Sequence, residues 1–273
     1  MSAGFAVPSA IAYGFADFAG GLASRRAPVL VVTAVAQLAG LILLVPAVFL
    51  LPGVFSWSAA GIGALAGLAG VGGLLLYFRG LAVGPMGTVA PLSAVVGAGL
   101  PLLIGIVAGE RPGPVTIGAM ALALVAIVLA TAGSRREPAA LSGILLGIAS
   151  GAGFGLFFIT LDLTPEDSGL WPLLAGRATS VALLAIALVV RRAGVPAKPG
   201  LMVVSGLLDT VANVLFLLAT RVGSLGVTAV IVSLYPVAVV LLARAVLRER
   251  LTGVQLTSVA LALGASVLLA TGG

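Results

Sequence analysis

One stretch of the sequence occurs twice. The first copy, GPMGTVAPLSAVVGAGLPLLIGIVAGER, runs from Gly84 to Arg111, and the second, GSLGVTAVIVSLYPVAVVLLARAVLRER, runs from Gly223 to Arg250. Each opens on a Gly-x-x-Gly turn, continues through an apolar run long enough to cross a bilayer, and closes on Glu-Arg. The offset is 139 residues, and the same ungapped shift aligns Ala121 to Leu124 with Ala260 to Leu263, Gly14 and Phe15 with Gly153 and Phe154, and Leu22 with Leu161. The chain is therefore read as a duplication with units 1–134 and 135–273. A fold duplicated in this way places its shared site between the two halves.

With 61% hydrophobic and 8% charged residues, the chain cannot cover a water-facing surface, for which a globular domain uses about 25% charged residues. An all-α integral membrane protein is expected, with the lipid bilayer as its surroundings and the cell inner (plasma) membrane as its location. The net charge of +6 comes from scattered Lys and Arg with no basic tract interleaved with aromatics, which argues against nucleic acid as a partner. There is no cysteine and no histidine, so thiolate and imidazole chemistry are excluded. No GxSxG, phosphate loop or acidic metal cluster stands out; Asp162, Glu166 and Asp167 read as a solvated turn. No cofactor, no metal and no enzymatic activity are expected.

Apolar runs of about 20 residues, enough for roughly 30 Å of hydrocarbon, follow one another at 3–24, 29–51, 57–81, 85–107, 113–132, 139–161, 169–190, 199–220, 224–247 and 251–271. The first has no basic segment before it and no cleavage-type site, and is expected to be retained. Ten spans divide as five and five, and an odd number per repeat inverts the second half relative to the first. The expected fold is ten transmembrane helices arranged as two inverted five-helix repeats. Connectors after odd-numbered spans hold Arg25, Arg26, Arg79, Arg135, Arg136, Arg191, Arg192, Lys198, Arg244, Arg248 and Arg250; those after even-numbered spans hold Arg111 and Arg221. By the positive-inside rule the odd connectors are cytoplasmic and both termini lie outside.

The paired five-span repeats, their Gly-x-x-Gly turns, a proline-broken fourth and ninth span (Pro91 and Pro101; Pro236), the Glu-Arg ending and a last span rich in Ala, Leu and Gly resemble the drug/metabolite transporter superfamily, specifically its EamA-type ten-helix members. The resemblance is clearest from Ser233-Leu234-Tyr235-Pro236 through Glu249-Arg250-Leu251 and Gln255. It implies a carrier of small molecules by alternating access, with amino-acid export, including that of aromatic amino acids, as the leading expectation and export of drugs or other metabolites as the alternative. A membrane enzyme or a non-transporting scaffold is the alternative of another class. The resemblance also implies that spans 3, 4, 8 and 9, with 1 and 6, surround a central cavity, making Tyr77, Arg79, Thr88, Ser93, Asn213 and Tyr235 candidate lining residues. Monomer and homodimer both remain open.

A charge in hydrocarbon is costly and marks function by default. Asp17, close to Tyr13 in the first span, has Leu156 as its repeat counterpart, so repeated packing does not require it; it is the candidate for proton coupling. Its alternative role is helix packing through a hydroxyl or an arginine. Asp209 and Asn213, four apart, share one helix face, suited either to a zwitterionic solute or to an interhelical clamp. Arg177 is an available partner for Asp17 or Asp209. Proline in a spanning helix frees a carbonyl and bends the axis, so Pro91, Pro101 and Pro236 are the gating candidates. Gly61, Gly63, Gly67 and Gly70, and Gly147, Gly151, Gly153 and Gly155, read as close-packing positions.

Overall fold

The computed structural model describes residues 2–84, 86–109, 111, 113–132, 141–192, 199–247 and single positions between 253 and 268. Helices fill nine of the ten expected spans: α1 (Ala3–Ser24), α2 (Val29–Leu50), α3 (Trp57–Val83), α4 (Met86–Val107), α5 (Pro114–Ala132), α6 (Leu141–Asp162), α7 (Trp171–Arg191) and α8 (Gly200–Arg221), then α9 (Leu225–Val232) and α10 (Tyr235–Leu247) in the ninth. Most of the tenth span lies outside the described residues. At about 1.5 Å per residue a 22-residue helix such as α1 is roughly 33 Å long, which matches a bilayer core. Among the described residues α2, α3, α6, α7 and α8 are long and apolar enough to cross a membrane. The protein is an all-α, multi-pass membrane protein.

Local chemistry sets the ends. Ser56 caps α3 by accepting the Ala59 N–H at 3.1 Å, and Ser224 caps α9 by accepting the Val227 N–H at 3.4 Å. Pro172 sits in the first turn of α7, where its missing N–H costs no helical bond. The fourth span, expected to be broken at Pro91 and Pro101, is one continuous helix, α4. The ninth, expected to be broken by Pro236, is interrupted just before it: the helix stops at Val232, Ser233 and Leu234 form a turn, and Pro236 is the second residue of α10. A proline acts on the residues before it: its ring opposes the carbonyl four positions back, here Val232, and it offers that carbonyl no N–H. The interruption therefore falls on its N-terminal side.

Two faces are defined by what meets across them. Ser2 lies against Gly223, Val54 N–H donates to Asp167 O at 2.8 Å, and Gly53 abuts Gly169; these share one face. Gly84 lies against Gly143 on the opposite face, which also carries Arg25 and Arg26. The packing is interleaved. α1 lies chiefly along α8 and the α9/α10 pair, and α6 along α3 and α4, so the first helix of each sequence half packs on the other half. α3 also packs on α7, as α2 does on α8. Applying the 139-residue shift turns each of these pairings into another. Single residues repeat the pattern: a Cβ at Gly67 would collide with the Gly176 carbonyl, and one at its counterpart Gly206 with the Ala36 carbonyl.

Candidate functional site

Between these helices lies a cavity of about 80 Å³ that opens on one side. Its wall is drawn from α1, α2, α3, α4, α6, α7, α8 and α9, the break that follows α9, and the first residue of α10. It reaches Pro172 and Leu173 in the first turn of α7, close to the Ser2 face, and descends to Leu74 and Asp17. Beyond them, toward the Arg25 face, the protein is solid: Tyr77, Phe78 and Leu81 are completely or almost completely buried. The cavity therefore lies toward the Ser2 face and is sealed on the other side.

The seal is polar at its centre. Tyr77 Oη donates to Asp17 Oδ2 at 3.0 Å, joining α3 to α1. Tyr235 Oη donates to Ala90 O at 3.3 Å, joining α10 to α4. The rings of Tyr77 and Tyr235 meet edge to face with centroids 6.4 Å apart, and Tyr13 stands 6.5 Å from Tyr235. Tyr235 can reach these partners because the turn at Ser233 and Leu234 starts α10 at its position. Phe154, 5.6 Å from Tyr77, and Phe158 continue the aromatic wall along α6.

A second polar group lies on the far wall. Arg177 of α7 donates through Nη2 to Asp209 Oδ2 at 2.7 Å and through Nη1 to Gln37 Oε1 at 2.6 Å. Asn213 Nδ2 donates to Asp209 Oδ2 at 3.2 Å and to the Asp209 backbone carbonyl at 2.7 Å. Four residues on three helices thus form one network in which every charge has a neutral partner besides its opposite charge. Of the two acids in the cavity, Arg177 pairs with Asp209; among the described residues Asp17 has no ion pair and relies on Tyr77.

Of the residues singled out in the sequence, Tyr13, Asp17, Ser93, Arg177, Asp209, Asn213 and Tyr235 line the cavity, with Ser93 Oγ accepting a hydrogen bond from the Ser150 hydroxyl at 3.0 Å. Tyr77 stands behind Asp17 as part of the seal. Arg79 does not join them: two residues past Tyr77, it is exposed and absent from the wall, because a 100° step per residue carries it off the face that Tyr77 occupies. Pro101 is buried within α4, whereas the side chains of Thr88 and Pro91 lie outside the described residues. Gly63 and Gly67 press on Pro172 and Gly176, and Gly70 on Phe157, while Gly61 faces open space. Gln37, the phenylalanines of α6 and the α7 residues Gly176 and Ser180 are wall residues that the sequence reading passed over. Gln37 had a signal: apart from Thr33 it is the one polar side chain in the second span.

These features define a multi-pass α-helical membrane protein with a largely apolar cavity between its helices that carries a few charged and polar groups and is closed on one side. Residues 141–271 match the EamA-like transporter family, so the second half of the chain is an EamA-type module of the drug/metabolite transporter superfamily, a family of membrane transporters of small solutes. A solved crystal structure that is 20% identical superposes with a TM-score of 0.69 over 96% of this chain and 98% of its own, a likeness of fold. No curated protein matches the sequence.

Proposed function

We propose that the protein is a secondary transporter that works by alternating access between two inverted five-helix repeats, exporting an amino acid across the plasma membrane with Asp17 as the proton-coupling group. The observation that carries the reading is the set of groups gathered in the cavity: charged and amide side chains that no bilayer tolerates without purpose line one space between the helices, closed on one side. The exchange of helix pairings under the 139-residue shift supports the inverted repeat, since a second state in which α8 and α6 seal the Ser2 face follows from the same contacts. Asp209 and Arg177 give an ammonium and a carboxylate each an opposite charge, and the aromatic wall suits an aromatic side chain. The same apolar wall favours a second reading, export of a drug or other hydrophobic metabolite.

Counterflow in proteoliposomes tests the proposal. A carrier loaded on one side with unlabelled solute accelerates uptake of labelled solute from the other, whereas a membrane enzyme or a scaffold does not. Amino acids are expected to give trans-acceleration. Its absence across a broad panel of amino acids, drugs and metabolites would end the transport reading.

A further inference from the structure

We infer that the solute is a zwitterion and that it binds by replacing the Arg177–Asp209 ion pair, its carboxylate taking Arg177 while Gln37 holds the guanidinium, and its ammonium taking Asp209 while Asn213 holds the carboxylate. The inference rests on the transport reading and names the ligand chemistry of that same cavity.

An ion pair removed from water contributes little net stability, because desolvating two charges offsets their attraction. Packing alone gives no reason to keep this one. What distinguishes it is its surroundings. Both charges border the cavity, and Asp209, the more accessible at 18% against 8% for Arg177, is the one an incoming ammonium reaches first. Each charge also has a neutral partner, Gln37 for Arg177 and Asn213 for Asp209. Gln37 Oε1 accepts from Nη1 and leaves Nη2 to Asp209, so loss of Asp209 as partner frees one guanidinium edge without freeing the side chain. Asn213 approaches Asp209 Oδ2 from one helical turn further along α8 and is itself anchored on the Asp209 carbonyl. Gly40, one turn beyond Gln37 on α2, lets α8 approach: a Cβ there would collide with the Thr210 hydroxyl and crowd the Gly206 carbonyl, and would stand 3.3 Å from Arg177 Cζ.

The pair and the solute carry the same two charges, so replacing one by the other changes no net charge in the membrane. With the cavity empty, the pair neutralises itself. With a solute bearing only an ammonium, Asp209 is matched and Arg177 is left with Gln37 alone; with a solute bearing only a carboxylate, Asp209 is left with Asn213 alone. Either leaves a buried charge without its counter-charge, and sites built around paired polar groups reject ligands that lack one member. Gln37 and Asn213 are positioning residues in this scheme, because they act by orienting the charges that touch the solute.

The test uses the intact protein in proteoliposomes and counterflow with matched sets: phenylalanine against phenethylamine and 3-phenylpropanoate, with an aliphatic and a hydroxylated amino acid treated in the same way. Exchange of at least one amino acid is expected, with its amine and acid analogues slower by about tenfold or more. Gln37→Leu is expected to raise the half-saturation concentration for that amino acid several-fold with the maximal rate little changed, and Gln37→Glu to fail to restore it, because a second carboxylate competes for Arg177. Equal exchange of an amino acid and its amine or acid analogue, or a Gln37→Leu protein with unaltered half-saturation, overturns the inference while leaving the transporter standing. No exchange of any solute removes the transport reading on which it rests.

Discussion

Arg177 and Asp17 show what single residues do here. Arg177 sits 8% exposed among α2, α7 and α8, and its charge is matched by Asp209. Removing one member of a buried pair leaves the other uncompensated, at about 3 kcal/mol or more. Asp209→Asn should therefore destabilise the protein markedly in thermal unfolding in detergent, while the double change Arg177→Met with Asp209→Leu should cost much less than Arg177→Met alone. Additive losses would mean the two side chains do not depend on each other. Asp17 has no such partner among the described residues, only the Tyr77 hydroxyl, so its replacement should affect coupling before folding. Asp17→Asn should abolish pH-driven accumulation while leaving exchange, which needs no net proton movement, largely intact; equal loss of both would assign Asp17 to solute binding or packing. The charges were legible in the sequence because an acid or an arginine in a 20-residue apolar run is rare. Gln37 was not, because an uncharged amide disturbs hydropathy little. Nor were the phenylalanines. In a chain apolar everywhere, hydropathy cannot separate Phe15, 46% exposed on the outer surface, from its repeat counterpart Phe154 in the cavity wall.

At the scale of helices, the spans were readable to within two or three residues because hydrocarbon thickness fixes their length. The break in the ninth was legible in Pro236, although it falls on the residues before the proline, whereas the fourth span, expected to break at Pro91 and Pro101, is a continuous helix. The break has a consequence for the seal, since it sets the direction in which Tyr235 leaves the chain. Pro236→Ala restores an N–H that can close on the Val232 carbonyl, and a continuous helix should then carry Tyr235 away from Ala90. The variant is expected to stay folded and to transport more slowly; unchanged kinetics would reduce Pro236 to packing. Helix contacts give a second prediction. Gly67 and Gly206 lie where backbone meets backbone, so alanine at either should destabilise by roughly 1–3 kcal/mol, whereas Gly61→Ala, with nothing within 4 Å, should be neutral or slightly stabilising. Thermal unfolding of the three variants side by side decides it; equal effects would deny the close crossings. Sequence alone listed these glycines together, since which of them touches a partner depends on how the helices cross.

At the scale of the whole molecule, the proposed alternating access requires the cavity to meet each side of the membrane in turn. The charge count puts the Arg25 face in the cytoplasm and both termini outside, so a cysteine at Ser2 should react in intact cells with a reagent that cannot cross the membrane; protection there, with labelling at Arg192→Cys instead, would reverse the orientation. Interleaving of the halves, with α1 on α8 and α6 on α3, makes the packed units differ from the sequence repeats, a feature that no alignment of the chain with itself contains. The absence of cysteine from the sequence makes the most direct measurement simple. Leu74 lies at the bottom of the cavity beside the seal. A single Leu74→Cys variant, labelled with a small impermeant thiol reagent in vesicles of both orientations, should react from the Ser2 face in the state described, and in the presence of a transported solute should become reactive from the Arg25 face as well. Reactivity from one face alone, unchanged by solute in a protein that still transports, would contradict alternating access.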